Sequence, residues 1–133
     1  MGKEKVIKVL GELGFIPEEL DGIGMTIECE GLTILISEDN YQDLNWITLL
    51  AINLLDFEED TKTEVYSALI ELCSKIKFVQ PQVMFGSQVW LCYQHYINNE
   101  EGMTAELMEH MIMVLVSSVL NFNHILNEND YGK

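Results

Sequence analysis

The segment from Thr104 to Leu126 constrains the fold of this chain more than any other part of the sequence. Its centre is the apolar run Met111 to Val116, and apolar residues continue to its end. Thr104 can cap the start of a helix, and the carboxylates of Glu106 and Glu109 suit the positive end of a helix dipole. The apolar residues cover more than the roughly 100° stripe of a surface helix. We therefore expect this helix to be buried on more than one side.

The same helix does not have the pattern of a membrane span. Polar side chains interrupt it well short of the roughly 20 consecutive apolar residues that a span needs. These side chains are Glu109, His110, Asn121 and Asn123. The helix therefore predicts a protein core or an interface, and it carries no chemistry by itself.

Net charge excludes one class of partner. The chain of 133 residues has 22 acidic and 7 basic side chains, a formal charge of −15. Binding of nucleic acid depends on cations at the protein surface, so we expect none. An anionic membrane surface is repelled for the same reason. The charge leaves two interpretations open, a solvated acidic surface and the attraction of a basic partner.

The cysteines indicate a reducing compartment. Cys29, Cys73 and Cys92 lie in apolar or alternating stretches, and no two of them have CxxC spacing. An odd number of cysteines without a disulfide framework is typical of reduced thiols in the cytoplasm. We therefore expect a cytoplasmic protein with free thiols and no bound metal.

Hydrophobic periodicity predicts three helices and five strands. In chain order they are a helix over 3–13, strands over 25–30, 32–36 and 44–53, a helix over 61–76, strands over 78–85 and 88–97, and the helix over 104–126. The second half of 44–53 could also be helical. This α-β-β-β-α-β-β-α order predicts one α+β domain over 1–133, with an antiparallel five-stranded sheet packed with helices.

Three local patterns refine this prediction. Ser37 to Asp43 is polar and acidic, which favours a loop. Thr61 and Glu64 have the spacing of a capping box at the start of the second helix. Pro81 cannot donate a backbone hydrogen bond, so its strand is expected at an edge of the sheet or at a bulge.

Two groups of side chains suggest metal ligands, and neither fits. Asp56, Glu58 and Asp60 match the first positions of a calcium loop. Thr61, however, occupies the position of the required glycine, which favours a solvated acidic loop. Glu106 and His110 are spaced i,i+4 on the long helix. A carboxylate-bridged metal site needs further pairs on a second helix, and the sequence contains none.

Patterns for nucleophilic catalysis are also missing. Cys92 and His95 are three residues apart on a predicted strand, so their side chains point to opposite faces. The sequence contains no GxSxG, Walker or GxGxxG pattern. We therefore expect no enzyme and no cofactor, and only residues brought together by folding could still form an active site.

The predicted strand 88–97 presents the best candidate for a binding surface. Trp90 and Tyr96 lie on one of its faces, and the aliphatic residues lie on the other. Amphipathic aromatic side chains are enriched at protein interfaces. Trp90 and Tyr96 are therefore predicted to bind a partner. The alternative is that both pack beneath a helix.

The assembled pattern resembles the YbjN-like family, whose fold is that of type III secretion chaperones. The features that carry this resemblance are Gly14-Phe15 after the first helix, the Glu30-Gly31 turn, the two-strand segment from Val83 to Ile97, and Gly102-Met103-Thr104 before the last helix. The resemblance implies a small, acidic, chaperone-like α+β domain that is often dimeric. In secretion chaperones such a domain binds extended segments of an effector, and the family implies no catalytic residue.

The sequence thus predicts a non-enzymatic cytoplasmic module that binds a protein or peptide segment. The alternative is an acidic inhibitor or immunity-type protein that neutralises a basic partner. We also expect a homodimer, because three helices and one sheet cannot cover all of the apolar surface. Its interface is expected at Trp90 and Tyr96, or else on the final helix.

Overall fold

In the computed structural model, which describes residues 3–42 and 44–128, three helices pack against one sheet of six strands. The helices are α1 (Lys3–Glu12), α2 (Lys62–Cys73) and α3 (Ala105–Glu128). The strands are β1 (Glu18–Leu20), β2 (Gly24–Cys29), β3 (Leu32–Tyr41), β4 (Leu44–Asp56), β5 (Val79–Met84) and β6 (Gln88–Ile97). Short 3-10 turns, Glu59–Thr61 and Glu100–Gly102, precede α2 and α3.

The strands are ordered β1-β2-β3-β4-β6-β5, and all neighbours are antiparallel. The α+β class and the antiparallel sheet are as predicted, but the prediction of five strands was wrong. The missed strand is β1, whose three residues are all exposed. It has no alternation to reveal it, and it forms because Glu19 pairs with Met25 of β2. Strand β5 is an edge strand, as Pro81 predicted.

Pairing also extends two strands beyond their predicted ends. Ser37 to Tyr41 belong to β3 because they pair with the first residues of β4. The predicted polar loop over this stretch was therefore wrong, and its last residue, Asp43, lies outside the described residues. Strand β4 continues to Asp56 through a register shift between Ala51 and Leu55, so the helical alternative for its second half was also wrong.

The three helices and one face of the sheet share a single hydrophobic core. Helix α3 is central to it and contacts α1, α2, β4, β5 and β6. Its burial on more than one side is therefore confirmed. By length and composition alone, with a mean hydropathy of 1.3, α3 could cross a membrane. The central helix of a globular core meets the same criterion, and α3 buries Met111, Leu115 and Phe122 in this core.

The two predicted helix caps have different outcomes. The hydroxyl oxygen of Thr104 accepts a hydrogen bond from the backbone N–H of Leu107 at 3.1 Å, so the predicted cap of α3 is confirmed. Thr61 makes no such bond to α2. Its hydroxyl instead donates to the carbonyl oxygen of Glu58 at 3.1 Å. The capping box was wrong because a 3-10 turn occupies Glu59–Thr61 and directs the hydroxyl backwards.

Candidate protein-binding surface

The second face of the sheet is the most distinctive surface of this protein. All three helices contribute to the core on the first face, and no helix in the described part of the chain covers the second. We call this second face the open face. Its central residues are Leu35, Asp39, Trp46, Thr48, Leu50, Trp90, Cys92, Gln94 and Tyr96.

The strand register arranges the open face in rows. Trp46 lies opposite Asp39 of β3 on one side and opposite Tyr96 of β6 on the other. Four residues further along β4, Leu50 lies in the same way between Leu35 and Cys92, after an intervening row around Thr48. Directly opposite side chains on one face of a sheet are in contact distance. The rows therefore form one continuous surface across β3, β4 and β6.

This surface is unusually apolar for a sheet face without a covering layer. The solvated face of an antiparallel sheet is normally polar, in alternation with the buried face. Here Leu35, Trp46, Leu50 and Trp90 are half-buried, and Tyr96 is 41% exposed. Contiguous exposed apolar patches mark interaction sites more often than chance exposure does. The open face is therefore the candidate functional site.

Two aromatic pairs lie at opposite ends of the open face. The rings of Trp46 and Tyr96 meet edge to face, with centroids 5.8 Å apart and an interplanar angle of 62°. At the other end, Phe85 meets Trp90 in the same way, at 6.1 Å and 73°. Trp90 and Tyr96 are six residues apart on β6, which corresponds to about 20 Å. The floor between the two pairs contains Leu50 and Cys92.

Polar groups on the open face are partly paired. The Gln94 side-chain amide donates to the hydroxyl oxygen of Thr48 at 3.3 Å, and the indole N–H of Trp90 donates to Oε1 of Gln88 at 3.2 Å. The Tyr96 hydroxyl donates to Oδ1 of Asn98 at 3.2 Å. Nε1 of Trp46 is buried and has no acceptor among the described residues. A buried donor without an acceptor costs free energy, so an acceptor that reached it would be stabilised.

The charges of the open face are all negative. None of the six strands contains a lysine or an arginine. Asp39 is exposed beside Trp46, and Glu28 of β2 accepts a hydrogen bond from the Thr33 hydroxyl at 2.9 Å. A peptide that lies on this face therefore meets carboxylates and no cation from the strands.

The other candidate residues from the sequence do not come together. Leu50 is the partner of Cys92 on the open face, whereas the partner of His95 is Ile47, which belongs to the core face. Burial raises the pKa of Cys92, which disfavours the nucleophilic thiolate. Among the described residues, no group of three or more His, Cys, Asp or Glu side chains is placed to hold a metal ion. Cys29, Cys73 and Cys92 are free thiols.

The sequence identified two of the three aromatic residues among the central residues of the open face. Trp90 and Tyr96 lie there as predicted, on the side opposite the core. Trp46 was missed, although Ile47 and Leu49 alternate with it and indicate a core on the other side. The alternation of apolar residues along β4 shows which of its side chains share a face. Only the register with β6 shows that Trp46 lies on the same face of the sheet as Tyr96.

Two solved structures are similar to this one over nearly their whole length. YbjN from E. coli, a proposed transcription regulator, has a TM-score of 0.65 at 13% sequence identity, and the match covers 98% of this chain and 93% of that one. An uncharacterized protein from Methanothermobacter thermautotrophicus has a TM-score of 0.61 at 14% identity, with coverages of 97% and 99%. No protein-family model matches the sequence, and no curated protein matches it significantly. At these identities the likeness concerns the fold alone, and the chain has the YbjN-like fold that its sequence pattern resembles.

Proposed function

We propose that this chain is a non-enzymatic protein-binding module whose open face binds an extended segment of another protein. The observation that carries this proposal is the apolar character of a sheet face that no described helix covers. Aromatic side chains such as Trp46, Trp90 and Tyr96 dominate the energetics of protein interfaces because they bury a large area at a low entropic cost. The proposal agrees with the chaperone-like character that the resemblance to the YbjN-like family implies.

The partner segment that fits this face is extended, apolar and cationic. The two aromatic pairs are separated by about 20 Å, the length of about six residues in an extended chain. Apolar side chains of the segment pack on Leu50 and Trp90. A lysine or arginine at one end contacts the ring of Trp46 and the carboxylate of Asp39, which combines a cation–π interaction with an ion pair.

Docking onto the face is favoured over addition of a strand at an edge. Strand β5 forms one edge of the sheet, and Pro81 interrupts its row of backbone donors. Strand β1 forms the other edge, and its three residues offer too few hydrogen bonds to hold a partner strand. The side chains of the open face therefore provide the larger binding surface.

A fluorescent peptide tests this proposal. The probe is a ten-residue peptide of alternating leucine and lysine, and anisotropy measures its affinity. Trp90→Ala and Tyr96→Ala are each expected to weaken binding at least about tenfold, as for interface hot spots. The matched control is Ile70→Ala on α2, which also removes a large exposed apolar side chain, 73% exposed, but outside the sheet. Equal affinities for all three variants would contradict the proposal.

A second candidate function is neutralisation of one basic protein, and the charge of −15 favours it. An inhibitor of this kind binds mainly through long-range attraction, which salt screens. A companion peptide of alternating serine and lysine separates the two functions, because it has the same charge without apolar side chains. If it binds as tightly as the leucine peptide, and Trp90→Ala weakens neither, the inhibitor is the better description.

A further inference from the structure

A cavity of about 420 Å³ lies at the end of the open face where β3 turns into β4. Its wall includes Asp39, Tyr41, Trp46 and Gln94. Trp46 is at the centre of this group, and Asp39 lies directly opposite it on β3. Tyr41 of β3 and Gln94 of β6 are diagonal neighbours of Trp46, a position from which long and aromatic side chains still make contact. We call this cavity the Trp46 pocket.

The Trp46 pocket offers aromatic surface to a ligand. The side chain of Trp46 is half-buried, and that of Tyr41 is 66% exposed. The edge-to-face contact with Tyr96 restrains the indole ring of Trp46 from the neighbouring strand. The faces of aromatic rings carry negative partial charge and attract cations. The pocket therefore favours a cationic group that can lie against a ring.

Two hydrogen-bond acceptors border the same pocket, one on each side of Trp46. Asp39 is exposed, and no lysine among the described residues forms an ion pair with its carboxylate. The amide nitrogen of Gln94 donates to the Thr48 hydroxyl at 3.3 Å, which leaves Oε1 of Gln94 as an acceptor. The two acceptors belong to β3 and β6, whose axes are about 10 Å apart across β4. A ligand that uses both acceptors must carry several donors in a wide arrangement.

We infer that the Trp46 pocket binds an arginine side chain of the partner segment and prefers it to lysine, an inference that rests on the proposed function of the open face. A guanidinium group is planar, stacks on aromatic rings and carries five N–H donors in a fixed fork. It can lie against Trp46 while it donates to the carboxylate of Asp39 on one side and to Oε1 of Gln94 on the other. The pocket thus specifies one residue type at one end of the bound segment.

Two other cations match the Trp46 pocket less well. A lysine ammonium group is compact and carries its three donors at one point, so it reaches Asp39 or Gln94 but not both. A trimethylated lysine keeps the attraction to the aromatic rings, but it has no N–H donor and leaves both acceptors unused. The acceptors therefore distinguish arginine from cations that need only an aromatic surface.

Three peptides of equal charge test this preference on the full chain. They are the ten-residue leucine–lysine peptide and two versions with arginine or trimethyllysine in place of every lysine. Anisotropy is expected to show that the arginine peptide binds about tenfold more tightly than the lysine peptide, which corresponds to about one charge-assisted hydrogen bond. The trimethyllysine peptide should bind more weakly than the lysine peptide, because it cannot donate to Asp39.

Two substitutions locate the preference in the pocket. Asp39→Asn should reduce the ratio of arginine-peptide to lysine-peptide affinity to within about twofold, and Gln94→Ala should reduce it to roughly threefold. Asp60→Asn is the matched control, because it makes the same change at an exposed carboxylate in the turn before α2, outside the sheet. It should leave the ratio unchanged. Thermal unfolding of each variant shows whether the fold is retained.

The outcomes separate this inference from the proposed function. Equal affinities for the arginine and lysine peptides would overturn the inference, and so would a preference that Asp39→Asn leaves intact. If Trp90→Ala still weakens both peptides in that case, the proposed function stands. A trimethyllysine peptide that binds most tightly would also overturn the inference, because the pocket would then recognise a cation by its aromatic surface alone. A chain that binds none of the three peptides would overturn both proposals.

Discussion

Two neighbouring side chains of β6 should make this protein less stable as the pH rises into the alkaline range. Cys92 is buried on the open face and Tyr93 in the core, and burial raises the pKa of both groups. In the unfolded chain a cysteine ionises near pH 8.5 and a tyrosine near pH 10. The native state therefore binds protons more tightly than the unfolded state does. This contribution to stability is complete below about pH 8.5 and is lost as pH rises further.

We expect the free energy of unfolding to fall between about pH 8 and pH 10. Urea unfolding at a series of pH values measures it. In Cys92→Ala the part of the fall that starts near pH 8.5 should be smaller, because the thiol no longer ionises on unfolding. A free energy of unfolding that rises over this range would contradict the assignment.

Gly24 is required where β1 turns into β2. Its φ is +150°, and a Cβ atom at this position would overlap the carbonyl oxygen of Ile36 on the neighbouring strand. Gly24→Ala is therefore expected to cost at least about 2 kcal/mol in the free energy of unfolding. Gly11→Ala is the matched control, because a Cβ there meets open space within α1 and should stabilise by up to about 1 kcal/mol. Chemical denaturation compares them, and equal effects would contradict the clash.

At the scale of elements, two threonines make a matched pair. Thr104→Ala removes the hydroxyl oxygen that accepts the Leu107 N–H at the start of α3, with an expected cost of about 1 kcal/mol. Thr61→Ala removes a hydroxyl that bonds only to the preceding turn, so it should cost less than about half as much. Thermal unfolding of both variants measures the difference. A larger loss for Thr61→Ala would show that the cap of α3 is not the more important one.

The elements that the sequence predicted well are those with their own periodicity. Strand β6 has the predicted bounds, Gln88–Ile97, because it is flanked by a turn and alternates along its length. Strand β1 and the end of β3 could not be predicted in this way. Most of their residues are polar, and they are strands only because β2 and β4 lie beside them. Such pairing joins positions that are apart in the sequence, which a local pattern does not contain.

At the scale of the whole molecule, the sequence predicted which face of β6 carries Trp90 and Tyr96 but not the composition of the open face. The face that carries Trp90 and Tyr96 followed from alternation on one strand. The contributions of Trp46, Leu35 and Leu50 required the order of the strands, because three strands have to be placed side by side.

Binding of a cationic peptide to the open face should weaken as salt is added. The chain has a formal charge of −15, which attracts the peptide. At about 0.01 M salt this attraction extends over roughly 30 Å, whereas at about 0.15 M it is screened within roughly 8 Å. The contacts with Leu50 and Trp90 are short-range and remain, so the affinity should fall without being lost.

Peptide anisotropy across this range of salt measures the response. The dissociation constant of the leucine–lysine peptide should increase several-fold between about 0.01 and 0.15 M salt. A peptide that binds more tightly at high salt would show that the open face recognises apolar side chains without help from Asp39 and the net charge.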